Sequence, residues 1–168
     1  ILLILVWQGL SSLHWIPRYK LPSPGEILLG FIELIKVGVP PGHLLYHHVL
    51  YSLYRVSLGY GIAALLAIPL GLLMGWFPRL RRMISPIIEV VRTIPPLAWI
   101  PIAILWFGIG IKSAAFIIFL GAFFPILLNT IAGVLSVNPI LVEAARTLHA
   151  KEKDIFYKVL IPGSVPYI

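Results

Sequence analysis

Long charge-free runs, rather than strict alternation, dominate the chain. Val56 to Phe77 carries 22 residues without a charge, Thr93 to Ile111 carries 19, and Ser113 to Val142 carries 30. A hydrocarbon core of about 30 Å needs about 20 helical residues at about 1.5 Å each. Each run is read as a membrane-spanning helix, and the last is expected to leave the membrane near Ser136. Ile1 to Pro17 is a further apolar run, interrupted by Gln8, Ser11, Ser12 and His14. It reads as the truncated end of another spanning helix with Trp15 near the interface. The alternative, a signal-peptide remnant, lacks a basic start and a small-residue cleavage site. The chain opens on Ile1 and stops at Ile168 in mid-pattern, so residues 1–168 read as one membrane domain truncated at both ends.

Residues 18–48 follow a different pattern. Ser23-Pro24-Gly25-Glu26 is a capping box with proline at the first helical position. Ile27, Leu28, Phe31, Leu34 and Ile35 then recur at helical spacing among Glu26, Glu33 and Lys36. This predicts a short amphipathic helix along a membrane interface, ended by Gly38 and the Pro40-Pro41-Gly42 turn.

Composition agrees with lipid as the solvent: 60% of residues are hydrophobic and 11% charged. The mean hydropathy of +0.99 lies far outside the soluble range. With no cysteine there is no disulfide, thiolate metal site or cysteine nucleophile. The net charge of +7 comes from scattered cations rather than one dense basic face, which argues against nucleic acid. Arg79, Arg81, Arg82 and Arg92, with Arg146, Lys151, Lys153 and Lys158, supply 8 of the 13 cations. The positive-inside rule puts both of these stretches in the cytoplasm, with Lys112 and residues 18–48 opposite.

Within the runs, Gly59, Ala63, Ala67, Gly71 and Gly75 put a small residue at every fourth position. Such a stripe either lets another helix approach closely or is chance spacing in an Ala- and Gly-rich span. Pro69, Pro125 and the group Pro95, Pro96 and Pro101 predict kinked helices around a cavity rather than a passive anchor. Trp99, Asn129 and Thr130 are the candidate pathway-lining residues, with helix-to-helix bonding the alternative for Asn129. No Asp or Glu falls inside the runs, and Glu89 sits ahead of the Thr93 run. Ion-driven carriers use intramembrane ionisable groups, so energy is expected to enter from elsewhere. Gly108 to Ser113 only faintly echoes a phosphate loop, lacking glycine before Lys112 and a preceding strand. His43, His47 and His48 have no carboxylate partner to make a metal site, and no catalytic triad can be placed.

Residues 138–162 are the most specific stretch. Asn138 caps a helix with Pro139 at its first position, running through Glu143-Ala144-Ala145. A second helix over Lys151–Leu160 is expected to end at Ile161-Pro162-Gly163 and lead back to the membrane. Glu143-Ala144-Ala145, three residues, His149, nine residues, then Val159, Ile161 and Pro162 resemble the cytoplasmic signature of bacterial ABC importer permeases. That signature reads EAA, three residues, Gly, nine residues, then I-x-L-P. Val159 and Ile161 are conservative departures. His149 replaces the glycine that permits a left-handed turn, a conformation His visits more readily than most residues. Leu21-Pro22-Ser23-Pro24, Arg92-Thr93-Ile94-Pro95-Pro96-Leu97-Ala98 leading to Ile104-Leu105-Trp106-Phe107-Gly108, and Phe124-Pro125-Ile126 with Asn129-Thr130 are similar to the nitrate/sulfonate/taurine/bicarbonate branch.

The resemblance implies an all-α, polytopic inner-membrane protein of bacteria or archaea, a type I importer transmembrane domain of about six spans with about four present here. It implies a pore made with a second permease copy, two cytoplasmic ATPase subunits that bind ATP-Mg, and an extracytoplasmic binding protein. The chain itself would hold no cofactor and carry no catalytic residue. Glu143 would anchor docking, Ala144 and Ala145 would allow close approach, and His149 with Pro162 would shape the turn and exit. Cargo would be a small anion, although thiamine pyrimidine precursors also travel through similar permeases. An ion-gradient carrier and a non-transporting scaffold are the competing classes.

Overall fold

The computed structural model describes residues 2–12 and 21–167. Its described residues are helices joined by short links, in two compact units, 1–53 and 54–168. In the first unit, α1 (Leu2–Ser12) is about 16 Å long, half of what a crossing needs. The Trp7 indole N–H donates to the Pro22 carbonyl and the Ser11 hydroxyl to that of Leu21, both at 3.1 Å. Trp15, His14 and residues 18–20 of the expected outer segment lie outside the described residues. Helix α2 (Pro24–Lys36) starts as the sequence predicts. The Glu26 amide donates to Ser23 Oγ at 3.2 Å and the Ser23 amide to Glu26 Oε2 at 2.9 Å. It stops at Gly38, whose amide reaches the Glu33 carbonyl with φ +84°.

The second unit is organised around α3 (Leu45–Trp76) from Tyr54 onward and α6 (Ile111–Ser136), the two described helices long and apolar enough to cross a membrane. Every member of the stripe Gly59, Ala63, Ala67, Gly71 and Gly75 is buried. A Cβ built on Gly59 would lie 2.5 Å from the Ala115 carbonyl oxygen, and one on Gly71 would lie 2.6 Å from Thr130 Cβ. One on Gly75 would collide with Val134 Cβ. The contacts climb in step along both chains, so α3 and α6 run parallel. Between them Ala63, Ala67, Met74, Leu127 and Ile131 form the core.

Two parallel helices in sequence oblige the chain between them to travel back across their full length. That return is made by α4 (Pro78–Arg92), a 3-10 turn (Pro96–Trp99) and α5 (Ile100–Phe107), bent by 79° at the break. Their lengths, about 22 Å and about 20 Å, combine at that angle to about 32 Å end to end, enough to cross. Phe107 accordingly arrives beside Leu58, near the middle of α3 and close to where the seam with α6 begins.

The interruption expected from Pro95, Pro96 and Pro101 is present, and the span expected over Thr93–Ile111 is half of a bent pair that starts earlier, at Pro78. Pro95, Pro96 and Pro101 supply the reason: each lacks a backbone N–H, and none can sit deep in an unbroken helix. Glu89 and Arg92 consequently lie inside this span. Counted as one span, the bent pair is not carboxylate-free, and Arg92 sits at its break.

Prediction: Gly71→Leu should destabilise the protein by about 1–3 kcal/mol, because the side chain must displace Thr130. Gly61→Leu should change little, since a Cβ there meets nothing within 4 Å. Thermal unfolding of the two variants in detergent checks this, and equal melting temperatures would dismiss the seam.

Candidate functional site

Helix α7 (Pro139–Thr147) begins where Asn138 Oδ1 accepts the Ile140 amide at 2.9 Å. Its end is a complete Schellman turn. The His149 amide donates to the Arg146 carbonyl at 2.9 Å and the Ala150 amide to the Ala145 carbonyl at 3.0 Å. His149 has φ +60°, the single positive-φ non-glycine among the described residues. Ile140, Ala144 and Leu148, spaced four apart, are exposed, Leu148 at 82%. Glu143 is exposed too, while Ala145 is half-buried.

Across the turn, Arg146 pairs with Glu152 through Nε–Oε1 at 2.9 Å and Nη2–Oε2 at 3.3 Å. Glu152, first by these hydrogen bonds and then by its charge, holds the Arg146 guanidinium above its ordinary value. The guanidinium also sits 5.9 Å from the Trp76 ring centre, and Phe156 meets Trp76 edge-on at 6.0 Å. The loop is thus fixed to the last turn of α3.

The returning chain is helical throughout: α8 (Glu152–Ile155), a π turn (Phe156–Leu160) and α9 (Ile161–Ser164). The expected stop at Ile161-Pro162-Gly163 does not occur. Pro162 cannot donate to the Lys158 carbonyl and its ring would crowd it, and the wider π turn just before makes room. Val159 and Ile161 are half-buried, Pro162 is exposed, and Leu160 packs with Leu72 and Val134. Ser164 and Tyr167 lie against Gly133, and Gly163 against Val137, so this segment climbs antiparallel to α6.

Of the candidate pathway residues, Trp99 lines a cleft of about 410 Å³ with Arg92, Thr93, Gly121 and Phe124. Asn129 is exposed on α6. Thr130 is corrected: it is fully buried against Gly71, and its hydroxyl donates to the Ile126 carbonyl at 2.7 Å. A hydroxyl satisfied within its own helix fills a packing notch, not an open path. His48 meets the Val39 carbonyl at 3.0 Å, and His47 stacks on Tyr46.

Residues 67–168 match the family of the binding-protein-dependent transport system inner membrane component. The chain belongs to that family. An ABC transporter permease protein of Methanocaldococcus jannaschii is 51% identical over 99% of this chain and 62% of its own length. The taurine transport system permease protein of Escherichia coli is 36% identical over 99% of this chain and 60% of its own. The bicarbonate transport system permease protein of Synechocystis is 35% identical over 98% and 60%. The chain therefore spans about three fifths of the length of these relatives. Within the family match fall the last ten residues of α3, the bent pair, α6 and the whole 138–162 loop.

Sequence reasoning missed two elements here. Trp76 and Phe156 are far apart in sequence and neither belongs to a motif. Arg92 was hidden because charge-free runs define spans.

Prediction: His149→Gly should slow amide exchange at 149 and 150 by stabilising the turn by about 0.5–1 kcal/mol, since a left-handed conformation costs an L residue about 1–2 kcal/mol. His149→Val should speed it. Hydrogen exchange of the membrane-embedded protein reads both, and unchanged rates would mean the turn is not strained.

Proposed function

We propose that this chain is a permease subunit of an ATP-driven importer for a small anion. In this reading residues 138–162 form a cytoplasmic coupling loop seated in a groove on a separate ATPase. The observation that carries it is the α7 turn. It matches the spaced Glu143–Pro162 signature, and it leaves Ile140, Ala144 and Leu148 exposed beside Glu143. Large apolar side chains next to a small one, on a loop flanked by cations, suit a protein partner rather than solvent. The loop's ties to Trp76, Leu72 and Val134 give a seated partner a direct hold on both long helices.

The pore would be completed by a second permease copy, with two ATPase subunits holding ATP-Mg below and an extracytoplasmic binding protein above. The protein would sit in the inner membrane, with residues 18–48 on the outer side. Its own residues would do no bond-making chemistry: Glu143 would anchor, Ala144 and Ala145 would admit the groove wall, and His149 and Pro162 would set the angle between the two arms. Relatives named for taurine and bicarbonate transport support anionic cargo.

A second reading, an ion-gradient carrier, gains from Glu89 lying within the broken span. It requires uptake by the permease alone under an ion gradient.

Prediction: co-purification of the full-length permease with its ATPase should fall by about tenfold or more for Glu143→Arg and for Ala145→Asp. Association unchanged in both would remove the docking role. Uptake of taurine or bicarbonate without ATP, and abolished by Glu89→Gln, would favour the carrier instead.

A further inference from the structure

Arg92 is the one strong charge beside the cleft, and its depth is unusual. The cleft wall on α6 is Leu120 to Leu128, the middle of a helix about 39 Å long running from Lys112 at its outer end to Ser136 at its inner end. Arg92 ends α4 at the break of the returning span, so its guanidinium enters at this same level. Among the described residues no hydrogen bond or ion pair holds it. An unpaired guanidinium at the middle of a bilayer is tolerated only towards a water-filled cavity or a partner. The backbone opposite makes the same demand. Pro125 has no N–H for the Gly121 carbonyl, and Gly121 faces the cleft across from Pro96.

Of the nearby titratable groups, Glu89 lies one turn back on α4, exposed and not in contact with Arg92. The rest of the wall is neutral: Thr93, whose hydroxyl is engaged by the Val90 carbonyl at 2.7 Å, Trp99 and apolar side chains. A planar cation in a low-dielectric, otherwise neutral cleft concentrates small oxyanions and pairs with them through two parallel N–H donors.

The geometry points to Arg92 as an anion-binding residue of the transmembrane path, with Trp99 and Thr93 as walls of the site, taking small carboxylate-, sulfonate- or nitrate-like oxyanions. This rests on the transport reading proposed above, and adds to it where along the path the anion is held. Trp99 acts as a positioning residue, limiting the cleft beside the guanidinium.

The test uses charge selectivity rather than cargo. The 168 residues contain no cysteine, and a Cβ at Gly121 meets nothing nearer than Pro96 Cγ at 4.0 Å. Gly121→Cys in the full-length permease in membranes, with any cysteine outside these 168 residues replaced by serine, therefore gives a single reporter thiol. An anionic and a cationic water-borne thiosulfonate are compared, each scaled to its rate with free cysteine. The anionic reagent should win by about tenfold, the ratio should drop to about one with Arg92→Gln, and it should persist with Arg92→Lys.

Reaction with neither reagent would overturn the proposal, since the face would then meet lipid or protein. A ratio indifferent to Arg92→Gln would overturn it too. So would a loss of melting temperature in Arg92→Gln that Glu89→Gln restores, because that pattern identifies a structural ion pair between copies. The labelling needs neither ATPase nor cargo. A failed ATPase association with an intact charge preference would discredit the importer reading alone, and the reverse result would discredit the anion site alone.

Discussion

Everything in the second unit depends on how closely α3 and α6 approach. Gly59, Gly71 and Gly75 leave no room for even a methyl group, so Ala115, Thr130 and Val134 rest on bare backbone. In lipid no hydrophobic drive pulls helices together, and such close packing must supply the association by dispersion alone. The seam is parallel, and that direction has consequences. A parallel pair joined in sequence cannot be linked by a tight turn, so the chain from Pro78 to Phe107 is forced into a return crossing. Its break and bend are the outcome of fitting a proline-rich crossing beside a rigid pair.

The Trp76 end of the seam is closed by aromatic and charged contacts instead of glycines. Trp76 ends α3 and receives both Phe156 and the Arg146 guanidinium. Arg146 is in turn held by Glu152 from the other arm of the loop. An exposed ion pair alone stabilises little, but here it completes a set in which each member restricts the next. Leu160 then carries the chain against Leu72 and Val134, so the first arm reaches α3 and the second reaches both long helices.

Much of this was legible locally. The Ser23–Glu26 capping box, the Asn138-Pro139 start and the left-handed position at His149 depend on residues a few places apart, where short-range sterics decide. The small-residue stripe was legible because a four-residue period is itself geometric, although only the structure names α6 as its partner. The third span was misread for a physical reason. Charge-free length finds a span only between charges, and Glu89 and Arg92 cut α4 off from the apolar run that follows it, so its start lay hidden. Thr130 was misread because hydroxyl polarity suggests solvent, while a bond to the Ile126 carbonyl satisfies it internally. The Trp76–Phe156 contact had no local signal at all.

The seam also fixes where this bundle can bend. Gly71 lies beside Leu127 and Thr130, which places Pro69 on α3 and Pro125 on α6 at nearly the same height. Each proline removes one backbone hydrogen bond, to the Leu65 and Gly121 carbonyls respectively. The break at Thr93–Pro95 faces the same stretch of α6 through the cleft. Three helical segments thus have their weakest backbone in one layer. Below it the inner halves are locked together by Gly71, Gly75 and the Trp76 contacts, and must move as a body. The 138–162 loop is tied to the stretch of the two long helices between that layer and Trp76, through Trp76, Leu72 and Val134.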